Sequence, residues 1–246
     1  MQRATEIVQI EKSRDAGTDE MSVAYHRLGK AQLLVGNASA ASESLQRALQ
    51  LLEVTESIAS PRFIEPLADL AEAQASLGAH DAAIALLQQA IVISRRVHGL
   101  FNTGQLDLLD RMASSFEAIG DIEGIDRARR YAVLAAEQEF GPNSPDILPA
   151  IGRLANWFEL TGRYAMAQDL YERTVRIASL EGGERNSTAI NALLGVGRSH
   201  RLQYVETPEL VEDSVWGGPP GRQFDPVTGN RKAIAGAVDR PGLDAT

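Results

Sequence analysis

The chain has 246 residues, 44% of them hydrophobic, which is enough to bury a sizeable interior in one or two ordinary domains. A formal net charge of -9 argues against a nucleic-acid or anionic-membrane surface, since those partners select concentrated lysine and arginine. With no cysteine, disulfide scaffolds, thiolate catalysis and cysteine-ligated metal sites are excluded, and no apolar run reaches the roughly 18 residues of a membrane span.

Residues Gln2 to Arg14 read as a helix, with Ala4, Ile7 and Val8 at amphipathic spacing. Glu6, Gln9, Glu11 and Lys12 interrupt its apolar residues, so it is no secretory signal; if Met1 is native the default compartment is cytoplasmic, with a periplasmic location open otherwise. Its beginning, QRATEIVQIEKS, is similar to QRALQLLEVTES at Gln46 to Ser57. If that similarity is real, the chain opens on the second helix of a repeat, whose apolar face a partner or a second copy could cover.

From Thr18 onward one interval governs the chain. Gly36, Gly78, Gly120 and Gly162 stand 42 residues apart, and each separates two helical patterns. The pairs are Met21 to Val35 with Ala38 to Leu52, Pro61 to Leu77 with His80 to Val97, Gly104 to Ile119 with Asp121 to Glu139, and Ser144 to Leu160 with Arg163 to Leu180. Pro61 suits a first helical turn, and a glycine past a helix end supplies the left-handed conformation that closes the last turn. Between pairs lie the breaks Ser60-Pro61, His98-Gly99, Gly141-Pro142 and Gly182-Gly183.

Residue types repeat in register with the glycines. Tyr25, Leu67, Leu109 and Ile151 form one column, and Leu28, Leu70, Met112 and Leu154 a second. Gly29, Ala71, Ala113 and Ala155 form a third that is always small. On the second helices Ala41, Ala83 and Ala167 align, with Ile125 the exception, as do Ala48, Ala90 and Ala132, with Thr174 the exception. Small residues on facing helices let two axes approach, while large neighbours fill the grooves. Ser187 to Leu202 continues the register as a fifth first helix and is expected to cap the array. The residues from Tyr204 to Thr246 are rich in proline and glycine and read as an extended or disordered tail, with Trp216, Phe224 and Val227 able to pack back.

These columns resemble the tetratricopeptide repeat, in a 42-residue kinesin-light-chain-type form rather than the usual 34. The fourth copy, FGPNSPDILPAIGRLANWFELTGRYAMAQDLYERTVRIA, shows the pattern best. The resemblance implies an all-α right-handed superhelical solenoid of antiparallel helix pairs. The expected organisation is a partial-repeat helix at residues 1–17, a solenoid of about four repeats plus a cap at 18–203, and the tail at 204–246. It also implies a soluble, non-catalytic scaffold for protein–protein interaction, with a protein or peptide in the concave groove and no cofactor. Self-association through the N-terminal helix, as a subunit of a larger assembly, and regulation by a peptide or by the chain's own acidic ETPELVED segment are the alternatives.

By the same resemblance the positions ten, nine and six before each glycine line the groove. They are His26, Arg27 and Lys30; Ala68, Asp69 and Glu72; Asp110, Arg111 and Ser114; and Gly152, Arg153 and Asn156. The cap adds Leu194, Gly195 and Arg198. Arginine and asparagine on such a face can hold carbonyls and carboxylates of an extended peptide; equally, its charges can pair among themselves. A clean carboxylate-clamp pattern is missing.

Catalytic and metal signatures are not found. His26, His80, His98 and His200 have no ligand spacing, no Gly-x-Ser-x-Gly elbow accompanies the serines, and Gly195-Val196-Gly197 follows no strand. Phe116, Phe158 and Tyr171 occupy repeat columns and are expected in the core, whereas Trp157 is out of register and open to an exposed position.

Overall fold

A computed structural model describes residues 17–182, 187–206, 222–224 and 231–233. The anticipated N-terminal helix, and most of the tail with Trp216 and Val227, lie outside the described residues. The helices are α1 (Thr18–Leu34), α2 (Ala38–Thr55), α3 (Ile64–Ser76), α4 (His80–His98), α5 (Gly104–Ile119), α6 (Ile122–Phe140), α7 (Leu148–Leu160), α8 (Tyr164–Gly182) and α9 (Ser187–Glu206). They follow the expected pairs closely, with α9 running past Leu202. Two short strands, β1 (Arg222–Phe224) and β2 (Arg231–Ala233), form an antiparallel hairpin that the sequence reading did not anticipate. The chain divides into two compact units, the first ending at Ser199 and the second beginning at His200.

The four turn glycines share one geometry. Their φ values are 76° at Gly36, 80° at Gly78, 74° at Gly120 and 73° at Gly162, in the left-handed region where a side chain is strained. Each donates its N–H to the carbonyl three residues back, and the next residue donates to the carbonyl five back, as in Gly120 to Glu117 and Asp121 to Phe116. This double closure satisfies helix-end carbonyls and turns the chain at once into the second helix. Asn37 and Asp121 then cap α2 and α6, their side chains accepting from the N–H of Ala40 and Gly124.

The first helices of the second and fourth pairs begin later than Pro61 and Ser144 suggested. Pro61–Phe63 and Pro145–Ile147 each form one 3-10 turn, with the Ser60 and Ser144 hydroxyls accepting from the N–H two residues on. Proline at the first position loses nothing there because its N–H would be unpaired anyway.

The small columns are the contact lines of the fold. Ala41, Ala83 and Ala167 on the second helices, and Ala113 and Ala155 on the first, are wholly buried. At Gly29 even one carbon is too many, since a Cβ there would stand 2.5 Å from Leu45 Cγ. Large residues close the grooves, with Leu45, Leu87, Ile151 and Ile177 almost fully enclosed. Phe116, Phe158 and Tyr171 are buried as expected, but Trp157 is buried too, which corrects the position left open for it. Its ring packs in the core while its indole N–H reaches the Asp126 carboxylate, the arrangement that lets an amphipathic aromatic sit inside.

Candidate functional site

Because the repeat spaces equivalent residues 42 apart, the groove positions fall on one side of α1, α3, α5, α7 and α9 in succession. Side-chain contacts cross every junction between first helices, three of them between predicted groove positions and the fourth from Arg198 to Glu159. At the first junction His26 Nε2 lies 2.7 Å from Asp69 Oδ2, and since a carboxylate only accepts, that nitrogen carries the proton. Lys30 adds a longer contact to Asp69 at 3.8 Å. At the second, Arg111 donates to Glu72 at 2.7 Å and to Asp107 of its own helix at 2.7 Å. At the third, Arg153 meets Asp110 at 3.1 Å, and at the fourth Arg198 meets Glu159 through Nε at 3.0 Å and Nη2 at 3.2 Å.

Most of the predicted groove is thus brought together, and its charges largely pair with one another. Asp69 is buried and fixes the α1–α3 junction rather than facing outward. Ser114 spends its hydroxyl on the Asp110 carbonyl of its own helix. Arg27 and Asn156 are exposed and make no side-chain hydrogen bond or ion pair among the described residues, and the Lys30 and Arg153 side chains are about half exposed. In the cap, Leu194 is exposed, but Gly195 takes the place of Arg27, Asp69, Arg111 and Arg153 because a Cβ there would meet the Tyr171 ring at 2.9 Å.

Sequence reasoning missed three polar joints behind this face. Asp126 accepts from both terminal nitrogens of Arg163, at 2.7 and 2.6 Å, as well as from Trp157. Those donors, the Arg163 bonds foremost, outweigh partial burial and hold the carboxyl down at about 2. The available signal was an acid in a column whose other members include the buried Ser42 and Ile84. Arg129 stands in the Leu45, Leu87 and Tyr171 column, mostly enclosed, and reaches Asp110 at 3.8 Å and Glu117 at 3.9 Å. Glu159 is a third joint. Burial raises its pKa, but the bonds from Arg198 and Tyr171 together outweigh this and leave it lowered. Tyr171, chiefly through burial and then through its bond to Glu159, is pushed up to about 12.

Two cavities lie elsewhere, between second helices. One of about 780 Å3 is lined by α4, α5 and α6, the other, of about 640 Å3, mainly by α2, α4 and the stretch from Ser57 to Phe63. None of the predicted groove residues lines either. Among the described residues no cluster of three or more His, Asp or Glu is placed to hold a metal ion, and no helix is long and apolar enough to cross a membrane.

A family model of the tetratricopeptide repeat matches residues 67–103, from the first turn of α3 to the residue before α5. No curated protein matches the chain. Among solved structures, kinesin-light-chain TPR-like repeats from Podosopora anserina are 20% identical, with a TM-score of 0.62 and coverage of 77% of this chain and 90% of that one. BtubC (BKLC) from P. vanneervenii is 14% identical, with a TM-score of 0.61 and coverage of 97% and 94%. The chain carries a tetratricopeptide repeat in its sequence at residues 67–103, and its fold is a solenoid of antiparallel helix pairs like that of kinesin-light-chain repeats.

Proposed function

We propose that the chain is a non-catalytic interaction scaffold that holds a protein or peptide along its first helices, the face that is the inner groove of tetratricopeptide arrays. The supporting observation is the unbroken row of polar side chains over five successive first helices, in which Arg27, Lys30, Arg153 and Asn156 remain accessible. The ion pairs in this row are largely at the surface, where each contributes about 0–1 kcal/mol. A partner's carboxylates or amides can therefore replace them at little cost, and a guanidinium released from Glu72 or Asp110 offers a fork of donors to the incoming group.

The test is photo-crosslinking in the native cell from a benzoylphenylalanine placed at Asn156. A discrete adduct is expected, and its yield should fall about fivefold or more when Arg111→Ala and Arg153→Ala are combined, with the helical circular dichroism unchanged. An adduct yield insensitive to that pair would remove the first-helix face as the binding site.

A further inference from the structure

The cavity between second helices has the shape and charge of a second docking site, and it does not depend on the first-helix reading. Its walls are two helices. Gln88, Ile91, Val92 and Arg95 of α4 form one side, and Arg127, Ala128 and Leu134 of α6 the other, so each wall extends over about two turns. Leu109, Met112 and Phe116 of α5 make an apolar floor. Val92 is 63% exposed and Leu134 is 41% exposed, so the rim offers apolar surface to solvent. A trough bounded by two helices and floored by a third is the form into which another helix lays its apolar side.

Charge narrows the occupant. The residues that line this trough include Arg95, Arg127 and Arg130 but no carboxylate, although Arg130 reaches Asp126 of its own helix at 3.4 Å, in a chain that has 33 acidic residues against 24 basic ones. Among the described residues Arg95 has only neutral partners, the Gln105 side-chain oxygen at 3.0 Å and the Tyr131 ring at 4.5 Å. Arg127 is widely exposed, and among the described residues its ion pairs are long ones, to Glu123 at 3.5 Å and Asp121 at 3.9 Å. The neighbouring cavity between α2 and α4 shows no such bias, because Glu53 and Arg96 both line it.

We propose that this trough docks an acidic amphipathic helix of a partner protein. Its apolar side chains would seat on Val92, Met112 and Leu134, and its carboxylates would take the guanidiniums of Arg95 and Arg127 in charge-assisted hydrogen bonds. The site thus shares only α5 with the first-helix face and uses different residues of it, and the array can hold two partners, or two segments of one, at once.

The probe is a fluorescein-labelled synthetic helix of about four turns, with leucines along one side and glutamates flanking them. Its counterparts are the same leucine pattern flanked by lysines and a scrambled isomer, all titrated against the full chain by fluorescence anisotropy. The acidic helix should bind saturably, and Arg95→Glu or Val92→Asp should each weaken it at least tenfold. Val92 is exposed, so that variant keeps its fold, as a thermal melt would verify. The double variant Arg153→Ala/Asn156→Ala should leave the affinity unchanged, even if crosslinking from position 156 fails. Equal binding of the lysine or scrambled helix, no saturable binding, or loss only in the double variant would each overturn the proposal. So would light scattering that shows a dimer dissociated by Val92→Asp, because the occupant would then be a second copy.

Discussion

Asp126 shows what a single carboxylate can join. It receives the Arg163 guanidinium and the Trp157 indole, while the same guanidinium lies 4.5 Å from the centre of the Phe158 ring. Its pKa, lowered from 3.8 to about 2 in the folded chain, sets the sign of a pH dependence. The stabilisation is present above the unfolded value and is lost as pH falls through the folded one, so it disappears between about pH 4 and about pH 2. With solvent screening allowed for, the effect is on the order of 1 kcal/mol. Thermal melts of the native chain and Asp126→Asn should differ at pH 5 and converge near pH 2; a constant difference would show that the charge is not what matters. Gly29→Ala should cost about 1–3 kcal/mol through collision with Leu45, read as a lower denaturant midpoint with an unchanged slope. That glycine was legible as a member of a small column. The depth of Trp157 was not, because repeat columns report residue type, and the acid that satisfies its N–H lies 31 positions away on another helix.

The helix pair is where the sequence was most informative. Turn glycines, alanine contact lines and cap positions follow from backbone conformation and helix spacing, which depend on local residues, and the helices end within a few positions of where those residues placed them. The charged columns were legible in the same way. Their pairing was not, since it depends on the offset between successive first helices, a property of packed neighbours. The pairs should contribute little singly. Arg111→Ala is expected to change stability by less than about 1 kcal/mol in a urea titration, because its partners Glu72 and Asp107 are more than half exposed. A loss several times larger would mean that the pair braces the junction and is unavailable for exchange with a partner. The 3-10 starts at Pro61 and Pro145 escaped the sequence because proline suits the first turn of either helix type.

At the scale of the solenoid, each repeat touches mainly its neighbours, so what stands at each junction decides which repeat can follow which. The contact made by Lys30 and Asp69 uses the same two columns as that made by Glu72 and Arg111, with the charges exchanged. Likewise the two columns that meet in His26–Asp69 meet again in Asp110–Arg153, with the carboxylate on the other helix. The row therefore acts as an address that tells the repeats apart although their cores are alike. Excising the 42 residues Ala59–Leu100 would bring Lys30 against Arg111, like facing like, whereas excising Phe101–Pro142 would set Glu72 against Arg153. Arg111→Glu should stabilise the first shortened chain by about 0.5 kcal/mol, and Arg153→Glu should weaken the second by a similar amount, both read from urea midpoints. Slipping by one repeat is thus disfavoured where α1 would meet α5 and accepted where α3 would meet α7, a distinction that the alike apolar interiors would not make.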